Sequence, residues 1–347
     1  KDIPAIENAG IVCRIPNWWK KHACNVSMSV QLGEERPALL GMDAILQMVP
    51  QLTVDGVPLT KDEIEALLSQ TEGLAFLKGK WITVDHQRLQ TLLDEMENYR
   101  SSLTLMQALR MGLDAGADEP EADVGPLVTN GAWLSGLLRE LRTPKQIRSA
   151  VVPKTFQAKL RAYQKVGYTW LTYMNQLGFG ACLADDMGLG KTVQVLAFLE
   201  KLRRTKKDAR VLLVVPASLL GNWQEEAEKF APQMPVMILH DGGAKKLGET
   251  VLADESFLTV TTYGMAARIE QLGQIAWDCL ILDEAQAIKN PATKQTRQIK
   301  KLKSAMRIAM TGTPIENDLT NLWSLSDFLN KGLLGSSAEF HDYCKEL

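Results

Sequence analysis

The chain has 347 residues, 46% of them hydrophobic, and a formal charge of −2. That length allows two or three domains, and the composition is that of an ordinary globular protein. It excludes a low-complexity chain, and no run of about 20 apolar residues marks a membrane-crossing helix. The first residue is Lys1 rather than Met, as expected of a fragment or a processed chain. Five cysteines (Cys13, Cys24, Cys182, Cys279, Cys344) form no CxxC pair. They argue against a disulfide framework or zinc site and for a reducing compartment. The four histidines are scattered and read as structural or surface residues. Charge is divided: −3 over residues 1–112, −5 over 113–125 and +6 over 126–347. A mildly basic C-terminal part is compatible with a polyanionic partner.

In chain order, the adjacent Trp18 and Trp19 read as buried core of an N-terminal domain, with a partner-binding anchor as the alternative. Thr60 and Glu63 form a capping-box pattern ahead of Ile64, Leu67 and Leu68, which predicts a helix start. The segment Ala75 to Val84 reads as one or two short strands around a Lys78–Gly79 turn. Leu89, Leu92, Leu93, Met96, Tyr99, Leu103 and Met106 recur at helical spacing. The acidic stretch from Asp114 to Gly125 holds Pro and Gly and buries little, so it reads as an exposed linker. The reading gives a mixed α+β domain over 1–112, a linker over 113–125, a helical connector over 126–158 and a larger α/β lobe over 159–347.

Within that last part, apolar runs alternate with helical stretches: Ala181–Ala184, Val211–Val215, Val236–Leu239, Phe257–Thr261, Cys279–Leu282 and Arg307–Met310. Alternation of this kind predicts an α/β fold with a parallel sheet and helices on both faces. Ligands of such sheets bind at the carboxyl ends of the strands.

Two segments carry chemistry. Cys182-Leu183-Ala184 runs into Asp185-Asp186-Met187-Gly188-Leu189-Gly190-Lys191-Thr192, and a helix follows. A strand, a Gly-rich loop and a helix form the context of a P-loop. Its backbone N–H groups and helix N-terminus suit phosphate. Lys191 would reach the β and γ phosphates of ATP, and the Thr192 hydroxyl would bind Mg2+. One departure stands out, because the general pattern places Gly where this chain has Asp185. The second segment is the strand ending in Asp283-Glu284-Ala285-Gln286. Asp283 would hold the magnesium through water, and Glu284 would polarise the attacking water as general base.

With these motifs the chain resembles the Swi/Snf-type ATPases of helicase superfamily two. DDMGLGKT is similar to that family's first motif, in which an acid replaces the first glycine. Leu160-Arg161-Ala162-Tyr163-Gln164 resembles the Q-motif region, with Ala162 where the family usually has Pro. By that match Gln164 reads the adenine edge. Val214 to Trp223 resembles motif Ia, Thr261-Thr262-Tyr263 motif Ib, Asp283 to Gln286 motif II in its DEAQ form, and Thr311 to Asn317 motif III. Leu322 to Leu325 and Phe328 to Asn330 resemble the helix that closes the first lobe. Weaker matches at Pro16–Trp19, Phe76–Trp81 and Gly131–Leu134 resemble a helicase-associated domain that precedes some bacterial motors.

The resemblance implies an ATP-driven translocase on double-stranded DNA, of which this chain holds the first RecA-like lobe. Ser218, Asn222 and Thr262 would make sequence-independent phosphate contacts with DNA. Gln286, Thr311 and Thr313 would couple nucleotide state to lobe movement. The second lobe would supply an arginine finger, so this chain alone is expected to bind ATP and hydrolyse it slowly. Residues 1–112 could dock a protein partner. A cytoplasmic, nucleoid-associated bacterial protein without membrane contact fits these readings. A strand-separating helicase, a P-loop kinase and a non-enzymatic scaffold are the competing functions. LLGNW and LWSL disfavour the first, TGTPIEN the second, and intact Lys191, Thr192, Asp283 and Glu284 the third.

Overall fold

The computed structural model describes residues 23–70, 72–98, 102–114, 127–240, 242–313 and 319–346. Trp18, Trp19, Tyr99, linker residues 115–125 and the Pro314–Asn317 part of motif III lie outside the described residues. Two compact units emerge. One draws on the described residues within 1–38, 45–104 and 114–138, the other on those within 39–44, 105–113 and 139–347.

In the first unit, the strands are β1 (Ala23–Leu32), β2 (Ile45–Val54), β3 (Val57–Pro58), β4 (Gly73–Leu77), β5 (Lys80–Val84), β6 (Ser102–Thr104) and β7 (Leu127–Asn130). They form a mixed sheet in the order β3-β2-β1-β5-β4, with β6 added to β2 and β7 to β1. Helix α1 (Lys61–Ser69) starts at the predicted capping box: the Thr60 hydroxyl accepts from the Glu63 N–H, and the Glu63 carboxylate accepts from the Thr60 N–H. The hairpin of β4 and β5 turns at Lys78 and Gly79, both at positive φ, as a tight two-residue turn requires. Helix α2 (His86–Asn98) covers a core of Val26, Leu52, Leu67, Ile82, Val84 and Leu89.

Two sequence expectations are corrected here. The helical spacing from Leu89 to Met106 does not mark one helix, because Leu103 lies on β6, opposite Leu46 of β2. Helix α3 (Leu105–Asp114) begins only afterwards and clusters with the second unit. Residues 127–130, read as part of a helical connector, form β7 and pair in parallel with Ser29–Leu32 of β1. Helix α4 (Ala132–Arg142) follows.

The second unit is built on an all-parallel sheet. Among the described residues its strands are β8 (Ala181–Leu183), β9 (Val211–Val215), β10 (Val236–Leu239), β11 (Leu258–Thr262), β12 (Trp277–Leu282) and β13 (Ser304–Met310). They run in the order β10-β11-β9-β12-β13-β8. All six predicted strand runs are there. Residues 211–215 and 258–262 are buried at every position, the signature of strands covered on both faces. The helices are α5 (Ala162–Leu177), α6 (Lys191–Thr205), α7 (Leu220–Phe230), α8 (Ala244–Ala253), α9 (Tyr263–Ala266), α10 (Lys294–Lys301), α11 (Leu319–Leu329) and α12 (Ser337–Glu346). Leu212, Val214, Leu280, Leu282, Ile288 and Phe328 belong to one continuous core.

Strand β8 pairs on one side with β13, which leaves backbone groups open on the other. Asn330 occupies part of that edge. Its side-chain amide accepts from the Gly180 N–H at 2.8 Å and donates to the Gly180 carbonyl at 3.2 Å, as a neighbouring strand would. The approach is so close that a methyl group on Gly180 would collide with the Leu329 carbonyl. Gly180→Ala is therefore expected to cost about 1–3 kcal/mol. A thermal melt should show a loss of several degrees, and an unchanged melting temperature would disprove the clamp.

Candidate nucleotide site and adjoining surface

The loop between β8 and α6 takes its shape from two glycines in the left-handed region, Gly188 at φ 80° and Gly190 at φ 78°. Gly190 is the N-cap of α6 and offers no capping side chain, so the first N–H groups of the helix face outward. These are the groups that bind phosphate at helix N-termini. Asp185 is not among the positive-φ residues. Position 185 thus makes no conformational demand for glycine. Its carboxylate instead accepts from the Gln194 amide at 2.8 Å, and Gln194 is fully buried one turn into α6. Gln194 packs against Gly167 of α5, where an added methyl group would meet the Gln194 amide oxygen and displace it.

The same loop is held from its other side by the start of α5. The Tyr163 hydroxyl and the Gln164 amide N–H both donate to the Leu189 carbonyl at 3.1 Å. The Gln164 carbonyl accepts from the Arg161 N–H at 2.9 Å. Gln164 thus spends both ends of its amide inside the protein. It supports the loop through these two bonds, and each end of the amide keeps a second hydrogen-bonding position. Lys191 donates to the carbonyls of Asp185 at 2.6 Å and Asp186 at 3.1 Å. Asp186, Met187, Gly188 and Leu189 are exposed, and Thr192 is half-buried in the first turn of α6.

The carboxylates lie at the end of β12. Asp283 is 6% exposed. One of its carboxylate oxygens accepts from the Trp223 indole N–H at 2.8 Å, and the other from the Glu284 N–H at 2.9 Å. Burial pushes its pKa up, the two hydrogen bonds and the Lys191 charge oppose that, and the Glu284 charge adds to it. The Tyr263 hydroxyl donates to the Asp283 carbonyl at 2.7 Å. Burial holds this phenol well above its usual pKa, so it stays a donor. Glu284 sits at φ 49°, an uncommon conformation for a side-chain-bearing residue, which turns the chain sharply at the strand end.

A relay runs from here to β13. The Gln286 amide donates to the Glu284 carboxylate at 2.8 Å and accepts from the Thr311 hydroxyl at 3.1 Å. The Thr313 N–H donates to the Thr311 hydroxyl at 3.1 Å, and the Thr311 N–H to the Leu183 carbonyl of β8. β12, β13 and β8 are consecutive in the sheet, with Leu282 opposite Ala309 and Met310 opposite Leu183. The loop ending in Lys191, the pair Asp283–Glu284 and Thr311 therefore share one rim. Thr192 and Asp283 present hard oxygen donors, the ligand type that suits magnesium.

The three predicted DNA contacts divide. Ser218 and Asn222 are exposed near the start of α7. Thr262 is 7% exposed, and its hydroxyl caps α9 by accepting from the Met265 N–H. Sequence reasoning gave no role to Trp223, Tyr263 or Gln194. Only an indole two turns from a strand end could have hinted at the first, and nothing in the spacing identified its partner. It also passed over a cleft of about 560 Å3 lined by Arg268, Lys294, Gln295, Gln298 and Lys301 beside α9 and α10.

Comparison with known proteins bears on this site. Residues 163–346 match the model of the SNF2-related domain, and residues 1–113 that of a family described as SNF2 Helicase protein. A Bacillus subtilis (strain 168) protein named as ATP-dependent helicase/translocase YwqA is 35% identical over 349 residues, 96% of this chain and 38% of its own length. The TATA-binding protein-associated factor mot1 of Schizosaccharomyces pombe is 32% identical over 243 residues, 66% of this chain and 12% of that protein. Among solved structures, the Sulfolobus solfataricus SWI2/SNF2 ATPase core in complex with dsDNA aligns with a TM-score of 0.51 at 44% identity, covering 55% of this chain and 40% of that one. The chain thus spans well under half the length of these relatives.

The raised pKa of Asp283 makes a stability prediction. The folded protein holds this proton to higher pH than the unfolded chain does. Stability is therefore lost as pH rises from the ordinary aspartate value of 3.8 through the raised one, and the cost is complete above it. Asp283→Asn leaves one of the two N–H donors without an acceptor, a cost that does not change with pH, so in metal-free protein its melting temperature relative to wild type should rise from pH 4 to pH 7.5. An equal difference at both pH values would contradict the assignment.

Proposed function

This chain belongs to the SNF2-related ATPase family, and we propose that its C-terminal unit is the nucleotide-binding lobe of an ATP-driven translocase on double-stranded DNA. The observation that carries the reading is the shared rim: Lys191, the Asp283–Glu284 pair and Thr311 stand at the carboxyl ends of adjoining parallel strands.

On nucleotide binding, Lys191 exchanges the Asp185 and Asp186 carbonyls for β- and γ-phosphate oxygens. The N–H groups after Gly188 and at the start of α6 bind the remaining phosphate charge. Thr192 and Asp283 would hold magnesium, which neutralises charge on the phosphates when bound. Glu284 takes a proton from the attacking water, and Gln286 orients its carboxylate. The Gln286–Thr311–Thr313 chain transmits the change at Glu284 to the segment that follows β13. Ser218 and Asn222 are available to phosphates of a DNA strand. Thr262 supports that face as a helix cap and not by direct contact.

The 38% and 40% coverage of the relatives fits a chain that holds one of two lobes. By that reading the other lobe would supply an arginine finger, worth about 10³–10⁵ in rate. For the N-terminal unit, Phe76 and Trp81 are both at least half exposed, with ring centroids 5.2 Å apart on the β4–β5 hairpin. They support a protein-docking role for that unit. No helix of the described residues is long and apolar enough to cross a membrane. A nucleoid-associated place in a bacterial cytoplasm suits such a motor.

Two measurements test the reading. In the full-length protein, Lys191→Ala should lower ATP turnover by at least on the order of 10²–10³ while DNA affinity stays close to wild type. Equal loss of both would refute the role given to Lys191. A steady-state assay on the 347-residue chain should show weak turnover with little DNA stimulation. Strong DNA-dependent turnover by this chain alone would overturn the division of labour, and strand displacement by the full-length protein would favour a strand-separating helicase.

A further inference from the structure

Three indole N–H groups have described partners. Those of Trp277 and Trp323 donate to backbone carbonyls, of Leu272 at 3.0 Å and Gly335 at 3.1 Å. This is the usual way a buried indole satisfies its one donor. Trp223 differs, because it donates to the Asp283 carboxylate at 2.8 Å. The residue is 2% exposed, so its ring is fixed by packing and its N–H points in one direction. An indole has a donor and no acceptor. It therefore selects the oxygen of an ionised or carbonyl-like group and disfavours rotation of that group. With the Glu284 N–H on the other oxygen, the carboxylate plane of Asp283 is set from two sides.

Trp223 also occupies a particular place along the chain. It follows Asn222 directly on α7, whose first turn continues the short helical turn Ala217–Leu219 after β9. Ser218 and Asn222 are exposed, whereas Trp223 points inward. The continuous helical stretch 217–223 thus presents Ser218 and Asn222 to solvent and holds Asp283 through Trp223.

We propose that Trp223 is a positioning residue for Asp283: its indole N–H fixes the carboxylate in the orientation that accepts magnesium, and α7 links that orientation to the exposed Ser218–Asn222 surface. This rests on the reading of Asp283 as the magnesium-holding carboxylate. Removal of the N–H leaves one oxygen of a 94% buried carboxylate without its donor and free to turn away.

The test is ADP binding to the 347-residue chain by calorimetry, once with magnesium and once with EDTA. The ratio of the two affinities is the magnesium increment. Trp223→Phe keeps the aromatic bulk and removes the N–H. It should reduce the increment about tenfold, the scale of one hydrogen bond to a charged group, and leave the EDTA affinity unchanged. An unchanged increment, or an equal loss in both arms, overturns the proposal. A second measurement needs no variant. Manganese added to the ADP complex should broaden one indole N–H resonance well ahead of the others, and uniform broadening would count against the proposal. Asp283→Asn separates the two layers of the argument. If it abolishes the increment while Trp223→Phe does not, the positioning role fails and the metal site stands. If it leaves the increment intact, the reading of Asp283 itself fails.

Discussion

Moving an ionised carboxylate out of water costs several kcal/mol unless hydrogen bonds and opposite charge replace the lost hydration. Asp283 stands at the end of a strand whose residues from 279 to 282 are fully buried, so it meets that cost directly. Its neighbours are arranged around the problem. The Trp223 indole and the Glu284 N–H each serve one oxygen, and the Lys191 charge lies close enough to favour the ionised form. Tyr263 closes the far side through the Asp283 carbonyl. The result is a buried carboxylate whose desolvation is offset in part by two hydrogen bonds and a nearby positive charge.

The sheet supplies the geometry that makes this useful. Neighbouring parallel strands lie about 4.8 Å apart, so the ends of β12, β13 and β8 fall within roughly 10 Å of one another. Three sequence segments spread between Asp185 and Thr313 thereby meet at one rim. Each strand end contributes something different: an acid pair, a hydroxyl relay and a loop open to phosphate. The relay through Gln286 is short and continuous, and every link in it is a hydrogen bond of 3.1 Å or less.

Much of this was legible in the chain. Strands such as VLLVV announce themselves because both faces are buried and no polar alternation interrupts them. The capping box at Thr60 and the turn at Lys78–Gly79 carried local signals strong enough to locate element ends. What could not be read depended on distant partners. Leu103 fits a helical spacing, and only its pairing with Leu46 makes it part of a strand. β7 is recognisable as a strand only because β1 accepts it. Thr262 matched a family motif, and its hydroxyl turned inward to cap a helix of four residues. Trp223 was visible as part of LLGNW, but its acceptor lies 60 positions away.

Lys191 is tied into its own loop. Its ammonium is already held by two loop carbonyls, at 2.6 and 3.1 Å. A phosphate bound there would exchange partners with the lysine and would not meet a bare cation. A lysine wired in this way is a fixed part of the loop's own architecture, and its charge is used first in shaping the turn between β8 and α6.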